Sequence, residues 1–169
     1  MKYEVELSKR RSISLSVKDG RLVVKAPTGT STRRIEEVIF KHRKWIEKHI
    51  TVQQKQARID AALTDEKVAE LKSLARTYLS DKTEYYSEIM GLKYGRITIT
   101  SAKTRFGSCS SQRNISYSYR LMLYPEAARE YVVVHELAHL VHMNHSPAFY
   151  ALVERYLPDY KERRKLLKD

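Results

Sequence analysis

Cys109 is the only cysteine in the chain. No intramolecular disulfide can form, no cysteine zinc cluster can be built within one chain, and a reducing, cytoplasmic setting is expected. No run of about 18 apolar residues occurs, so no transmembrane helix is expected. The opening Met1-Lys2-Tyr3-Glu4-Val5-Glu6 lacks the hydrophobic region of a signal peptide. Glycine is scarce, at 5 of 169 residues, and none of it forms a P-loop pattern, so any bound phosphate would have to be held by side chains and metal. Helix-turn-helix signatures, zinc-finger spacing, RNA-binding aromatic motifs, internal repeats and low-complexity segments are all missing. Acidic residues are also short: 20 against 32 Lys and Arg, for a net charge of +12. An excess of that size attracts polyanions. It is spread over Lys9-Arg10-Arg11, Arg33-Arg34, Lys41-His42-Arg43-Lys44, Lys48-His49 and Arg163-Arg164-Lys165. Each cluster can equally be a solvated face.

Length and a hydrophobic content of 42% suit one domain with a substantial core. We expect an α+β fold: a small N-terminal antiparallel sheet and a helix over residues 1–63, then a helix-strand-helix core over 64–169. Tyr3, Val5 and Leu7 alternate, as do Ile13, Leu15 and Val17. Asp19-Gly20 reads as a hairpin turn into Arg21–Lys25. Ser31 or Thr32 can cap a helix to about His49 that buries Ile35, Val38, Ile39, Trp45 and Ile46. Polar residues 51–63 read as further helix or linker. Thr64 can cap a helix that carries a stripe from Val68 through Leu71, Leu74, Ala75, Tyr78, Leu79, Tyr85 and Ile89 to Met90, and ends at Gly91. Arg96–Thr100 and Asn114–Leu123 read as neighbouring strands, with a loop or bulged strand end over 104–109. Helices follow over about 125–143 and 147–157, and a last basic helix starts at Pro158.

The chemistry concentrates in His135-Glu136-Leu137-Ala138-His139. On a helix, residues four apart share a face, so both imidazoles can point at one ion, while Glu136 can touch a water on it. Zinc acidifies such a water and the carboxylate takes its proton. Tyr131–Val134 before the motif and Leu140-Val141 after it make this helix apolar nearly all round, hence buried. A buried pair of histidines bonded only to backbone carbonyls is the bland alternative.

A third ligand can come from His142, His145, Glu154 or Asp159. His142 shares the face of His135 but lies about 10.5 Å further along a straight helix, too far for zinc bonds of about 2 Å. A turn made by Met143 or Asn144 in an unusual backbone conformation would let His145 swing back. Ser146-Pro147 then reads as the cap and first residue of a new helix, on which Glu154 is the other option. Cys109 reads as a small packing residue after a Gly-Ser turn, or as a metal-switch or reactive thiol.

Four segments together resemble a known family: Arg105-Phe106-Gly107-Ser108-Cys109, Ile115–Leu121, Tyr131–Leu140 and Asn144–Tyr150, joined by Arg10–Leu15 and Trp45-Ile46 near the start. They are similar to the YgjP-like metal-dependent hydrolases, a group related to the SprT-like and WLM metallopeptidases. Phe106 and Tyr150 stand where that family often has Trp. The resemblance implies a zincin-like core with the HExxH motif on a buried helix. It also implies one Zn2+ held by His135, His139 and His145, with Glu136 as catalytic base. The spacing 135, 139, 145 matches the metzincins, although His142 stands where they carry a turn-forming Gly; a ligand such as Glu154 would match the gluzincins.

The expected function is a zinc-dependent hydrolase, a metallopeptidase acting on a peptide or protein, with Arg105, Tyr119, Arg120 and Tyr150 as candidate substrate or oxyanion contacts. Two alternatives are a metal-dependent nucleotide phosphoanhydride hydrolase and a nucleic-acid-associated module whose zinc is structural. No membrane partner is expected.

Overall fold

The structure, a computed structural model, describes residues 2–167. They form two compact units, one ending at Thr64 and the other beginning at Asp65. No described helix is long and apolar enough to cross a membrane.

In the first unit, β1 (Tyr3–Ser8), β2 (Ser14–Lys18) and β3 (Arg21–Pro27) form a sheet in the order β1-β3-β2. The expected antiparallel sheet is corrected to a mixed one: β2 pairs antiparallel with β3, but β1 pairs parallel with it. The most apolar strand takes the centre, with Leu22, Val23, Val24 and Ala26 buried. Residues 9–13 then carry the chain past its end from one edge to the other. The hairpin turn is as read: Asp19 and Gly20 both have positive φ, 48° and 71°, as a two-residue turn matching strand twist requires. Ser31 caps α1 (Thr32–Lys41) by accepting from the Arg34 N–H. At His42 the backbone leaves helical values (φ −105°, ψ 14°), and a separate α2 runs over Arg43–Ala62. That break resets the helical phase. Ile35 and Ile46 are buried with Leu22, Val24 and Ala26, but Trp45, expected inside, is 40% exposed. The polar run after residue 50 is helix. Its Gln53 amide accepts from the Gly20 N–H (3.0 Å) and donates to the Val17 carbonyl (2.7 Å), fastening α2 to the hairpin.

The second unit opens with α3 (Asp65–Met90). Gly91, at φ 65°, closes it, and the Leu92 N–H donates back to Ser87. The buried stripe comprises Leu71, Ala75, Leu79, Thr83, Tyr86 and Ser87. Leu74, Tyr85 and Ile89, expected in it, face outward. Strands β4 (Ile97–Thr100), β5 (Gly107–Cys109) and β6 (Ile115–Ser118) make a sheet in the order β4-β6-β5. β6 is parallel to β4 and antiparallel to β5. The strand expected to reach Leu123 ends at Ser118, where the Ser118 hydroxyl accepts from the Arg120 N–H and starts a 3-10 turn over Tyr119–Leu123.

α4 (Glu126–Ala138) packs on α3 and against β5. Tyr117, fully buried behind it, donates its hydroxyl proton to Thr83 (3.0 Å), because Thr83's own proton goes to the Leu79 carbonyl (2.6 Å). α5 (Pro147–Tyr156) and α6 (Tyr160–Lys165) complete the unit. Glu130 of α4 is the tie between layers. One oxygen takes Lys82 of α3 and the other Arg163 of α6, both at 2.7 Å. These two cations hold its carboxyl below the usual range against the opposing effect of burial.

Candidate metal centre

α4 ends at Ala138, five residues earlier than its sequence pattern indicated, with His139 as its C-cap. The expected left-handed residue at Met143 or Asn144 is not there; among the described non-glycine residues only Asp19 and Arg113 have positive φ. The chain turns instead by tightening. Leu140 and Val141 make three-residue bonds to Leu137 and Ala138, and the His142 N–H returns to Ala138 at 3.0 Å. Ser146 then caps α5 through the Phe149 N–H, with Pro147 at its first position.

This turn brings three rings together. One ring nitrogen each of His135, His139 and His145 lies within 4.8 Å of the others, and the Nε2 atoms of His135 and His145 are 3.0 Å apart. Zinc–nitrogen bonds of about 2.0–2.1 Å in tetrahedral geometry place two ligand nitrogens about 3.3 Å apart, close to the His135–His145 separation. The supporting bonds select the ring faces. His139 Nδ1 meets the His142 carbonyl at 3.0 Å. A carbonyl only accepts, so Nδ1 carries the proton and the Nε2 lone pair is free. His135 Nδ1 sits 3.4 Å from the Tyr131 hydroxyl. Burial, and less strongly the other two imidazoles, pulls His135 down to about 3. Burial also lowers His139. Both rings are therefore neutral at neutral pH, the form that binds metal.

Phe149 forms the floor. It is fully buried, and its ring centroid lies 4.8, 4.6 and 5.0 Å from those of His135, His139 and His145. Tyr150 stacks on His145 at 6.1 Å, and Tyr160 on Tyr150 at 5.8 Å. The exposed guanidinium of Arg164 lies 6.0 Å from the Tyr150 ring.

Glu136 is 5% exposed, and its Oε2 has no hydrogen-bond partner. Burial pushes its carboxyl up to about 8, opposed by the charge of Arg105. Such a group needs either a proton or an outside partner. Its room comes from Gly107: a Cβ there would run into Oε1 of Glu136 and stand 2.7 Å from its Cγ. Gly107→Ala is accordingly expected to destabilise the protein by about 1–3 kcal/mol, seen as a lower thermal midpoint than that of Ser110→Ala.

Of the other residues singled out by sequence, Tyr150 stacks on His145, and Arg105 is exposed, its charge acting on the Glu136 carboxyl. Tyr119 and Arg120 are buried in the 3-10 turn, where the Tyr119 ring faces Lys72 and Arg120. Glu154 is half-exposed beside Lys161, and Asp159 is paired with Arg163; neither belongs to the three-ring group. Cys109 is half-buried, its thiol pushed up by burial and then by the Glu136 carboxylate. The sequence reading gave no role to Phe149, to the Tyr131 hydroxyl or to the bareness of Gly107. A glycine inside a strand was the one available signal, since it marks a close approach.

The YgjP-like pattern, described as a metallopeptidase domain, matches residues 11–70 and 60–169. The chain belongs to the YgjP-like metallopeptidase domain family. At that level of description it is a metal-dependent peptidase acting on peptide or protein, and the family implies a metal, typically zinc. Neither the nucleotide nor the nucleic-acid alternative gains support from it. No curated protein matches the chain. Among solved structures, the crystal structure of the metallopeptidase zymogen of Pyrococcus abyssi abylysin is similar, at 25% identity and a TM-score of 0.48 over 53% of this chain and 90% of that one.

Proposed function

We propose that this YgjP-like protein is a zinc peptidase in which His135, His139 and His145 hold the ion and Glu136 is the general base. One observation carries the reading. Three imidazoles converge next to a buried carboxylate whose Oε2 is uncommitted, and that donor set suits zinc in a three-ligand site with an open position. A bound ion supplies Lewis acidity, both for activating water and for polarising the scissile carbonyl.

The protein's own groups do the rest. Glu136 Oε2 takes the proton of the attacking water and delivers it to the leaving amine. Burial keeps that carboxyl basic enough to accept the proton and acidic enough to return it. Phe149 excludes water from beneath the rings and fixes their planes. Tyr150, whose ring stacks on that of His145, is the donor we assign to charge developing on the carbonyl oxygen. β5 is an edge strand of its sheet and starts at Gly107, so an extended peptide can pair along it within reach of Glu136.

Stripping the purified protein with a chelator is expected to abolish cleavage of labelled unstructured peptides, and one equivalent of zinc to restore it. Nucleoside triphosphates run in parallel should stay intact. Turnover of nucleotides without turnover of peptides overturns the reading.

A further inference from the structure

Beside Glu136, on the other side of the bare backbone of Gly107, lies a cavity of about 90 Å³. Thr100, Arg105, Gly107, Ser108, Ser116 and Ser118 line it, together with Ala102. At roughly 30 Å³ per water it holds about three, or one small side-chain head. Ser108 and Ser116 are cross-strand partners, so both project from the same face of the sheet. Thr100 and Ser118 are also partners, two positions along. Gly107 points the other way, since the position of its absent Cβ is filled by Glu136, and successive residues of a strand alternate faces.

The donors here are unevenly committed. Ser118 donates to the Ala102 carbonyl (2.7 Å) and Thr100 to that of Tyr117 (3.3 Å). The hydroxyls of Ser108 and Ser116 and the exposed guanidinium of Arg105 make no hydrogen bond or ion pair among the described residues. No carboxylate lines the cavity. A wall with one free guanidinium, two free hydroxyls and no acid is complementary to an anionic acceptor with planar, paired oxygens.

Taking the peptidase reading as its basis, we infer that this cavity is a specificity subsite that takes an acidic side chain, Asp or Glu, of the substrate next to the scissile bond. The placement follows from alternation. A peptide paired along β5 alternates its side chains between the Glu136 face and the opposite one, so the residue next to one that faces Glu136 lies over Ser108 and Ser116, on the cavity that Arg105 also lines. The volume admits a carboxylate on a short stem and excludes an aromatic ring.

The test compares zinc-loaded protein on three peptides identical except for Glu, Gln or Lys beside the bond. A charge-assisted contact of this kind predicts that kcat/KM for Glu exceeds that for Gln by about tenfold, mostly through KM. In Arg105→Ala the Glu-to-Gln ratio should fall close to one, and in Arg105→Glu the Lys peptide should become the best of the three. Binding of the same peptides to zinc-loaded Glu136→Gln, followed by fluorescence anisotropy, reads the preference without turnover. Equal cleavage of all three peptides overturns the subsite and leaves the peptidase standing. Selective binding of the Glu peptide with no cleavage by wild type supports the subsite and overturns the peptidase. Absence of both selective binding and cleavage overturns the two together.

Discussion

Glu136→Gln is expected to lower peptide turnover by at least about 10²–10⁴-fold, the usual worth of a positioned general base, while one zinc per chain is retained. The amide fills the same space against Gly107, so the substitution changes basicity without opening a hole. Its inert side chain keeps one acceptor oxygen but cannot take a proton. A KM close to that of wild type with a collapsed kcat would mark the loss as one of chemistry rather than of binding. The metal-free proteins supply an independent check. Folding raises the Glu136 carboxyl from its ordinary 4.5 to about 8. The folded state therefore holds a proton that the unfolded chain releases. The stability this lends is fully present below pH 4.5, declines as pH rises, and is gone above about 8. Glu136→Gln lacks the group, so its thermal midpoint should fall less between pH 5 and 8 than that of metal-free wild type. Parallel pH profiles would show that Glu136 is not buried as the structure has it, and undiminished turnover would remove it from the mechanism.

How much of this was legible beforehand follows from which physics is local. The pairing of His135 with His139 was readable because the helical period alone sets it, and the Ser146-Pro147 start of α5 because caps are short-range chemistry. The turn between them is not: residue type there points to a left-handed residue at Met143 or Asn144, whereas the chain reverses through tightened bonds to Leu137 and Ala138 and a ring-to-carbonyl contact from His139 to His142. Nothing in residue type announces that solution. Alternation in Tyr3–Leu7 showed which face is apolar but is the same for parallel and antiparallel neighbours, so the mixed sheet was invisible. Trp45 was misplaced for a related reason. Its inward position assumed one continuous helix, and the break at His42 rotated everything after it. Tyr119 and Arg120 are buried because the expected strand becomes a 3-10 turn there. Phe149 could be read as a core residue, but three imidazoles seated on its ring emerge only from the fold.

His145→Ala is expected to leave the protein folded but without bound zinc. His145 is exposed, and its supports are ring contacts with Phe149 and Tyr150 rather than burial. Truncating it should change metal-free stability by no more than about 0.5 kcal/mol, as for other surface substitutions. Its cost falls on the ion: two nitrogens from one helix face remain, and the open side of the site loses the only ring that comes from beyond the turn. Tyr131→Phe removes just the hydroxyl near His135 Nδ1 and should weaken zinc by about 10–100-fold, the usual cost of losing an orienting bond. His145→Ala should exceed that, leaving no stoichiometric metal after dialysis and no thermal upshift on adding micromolar zinc. Glu154→Ala, which removes a half-exposed carboxylate beside Lys161, should keep its zinc. The opposite ranking, with zinc retained by His145→Ala and lost by Glu154→Ala, would mean that α5 turns to present its carboxylate when the ion binds, and the three-imidazole centre would have to be abandoned.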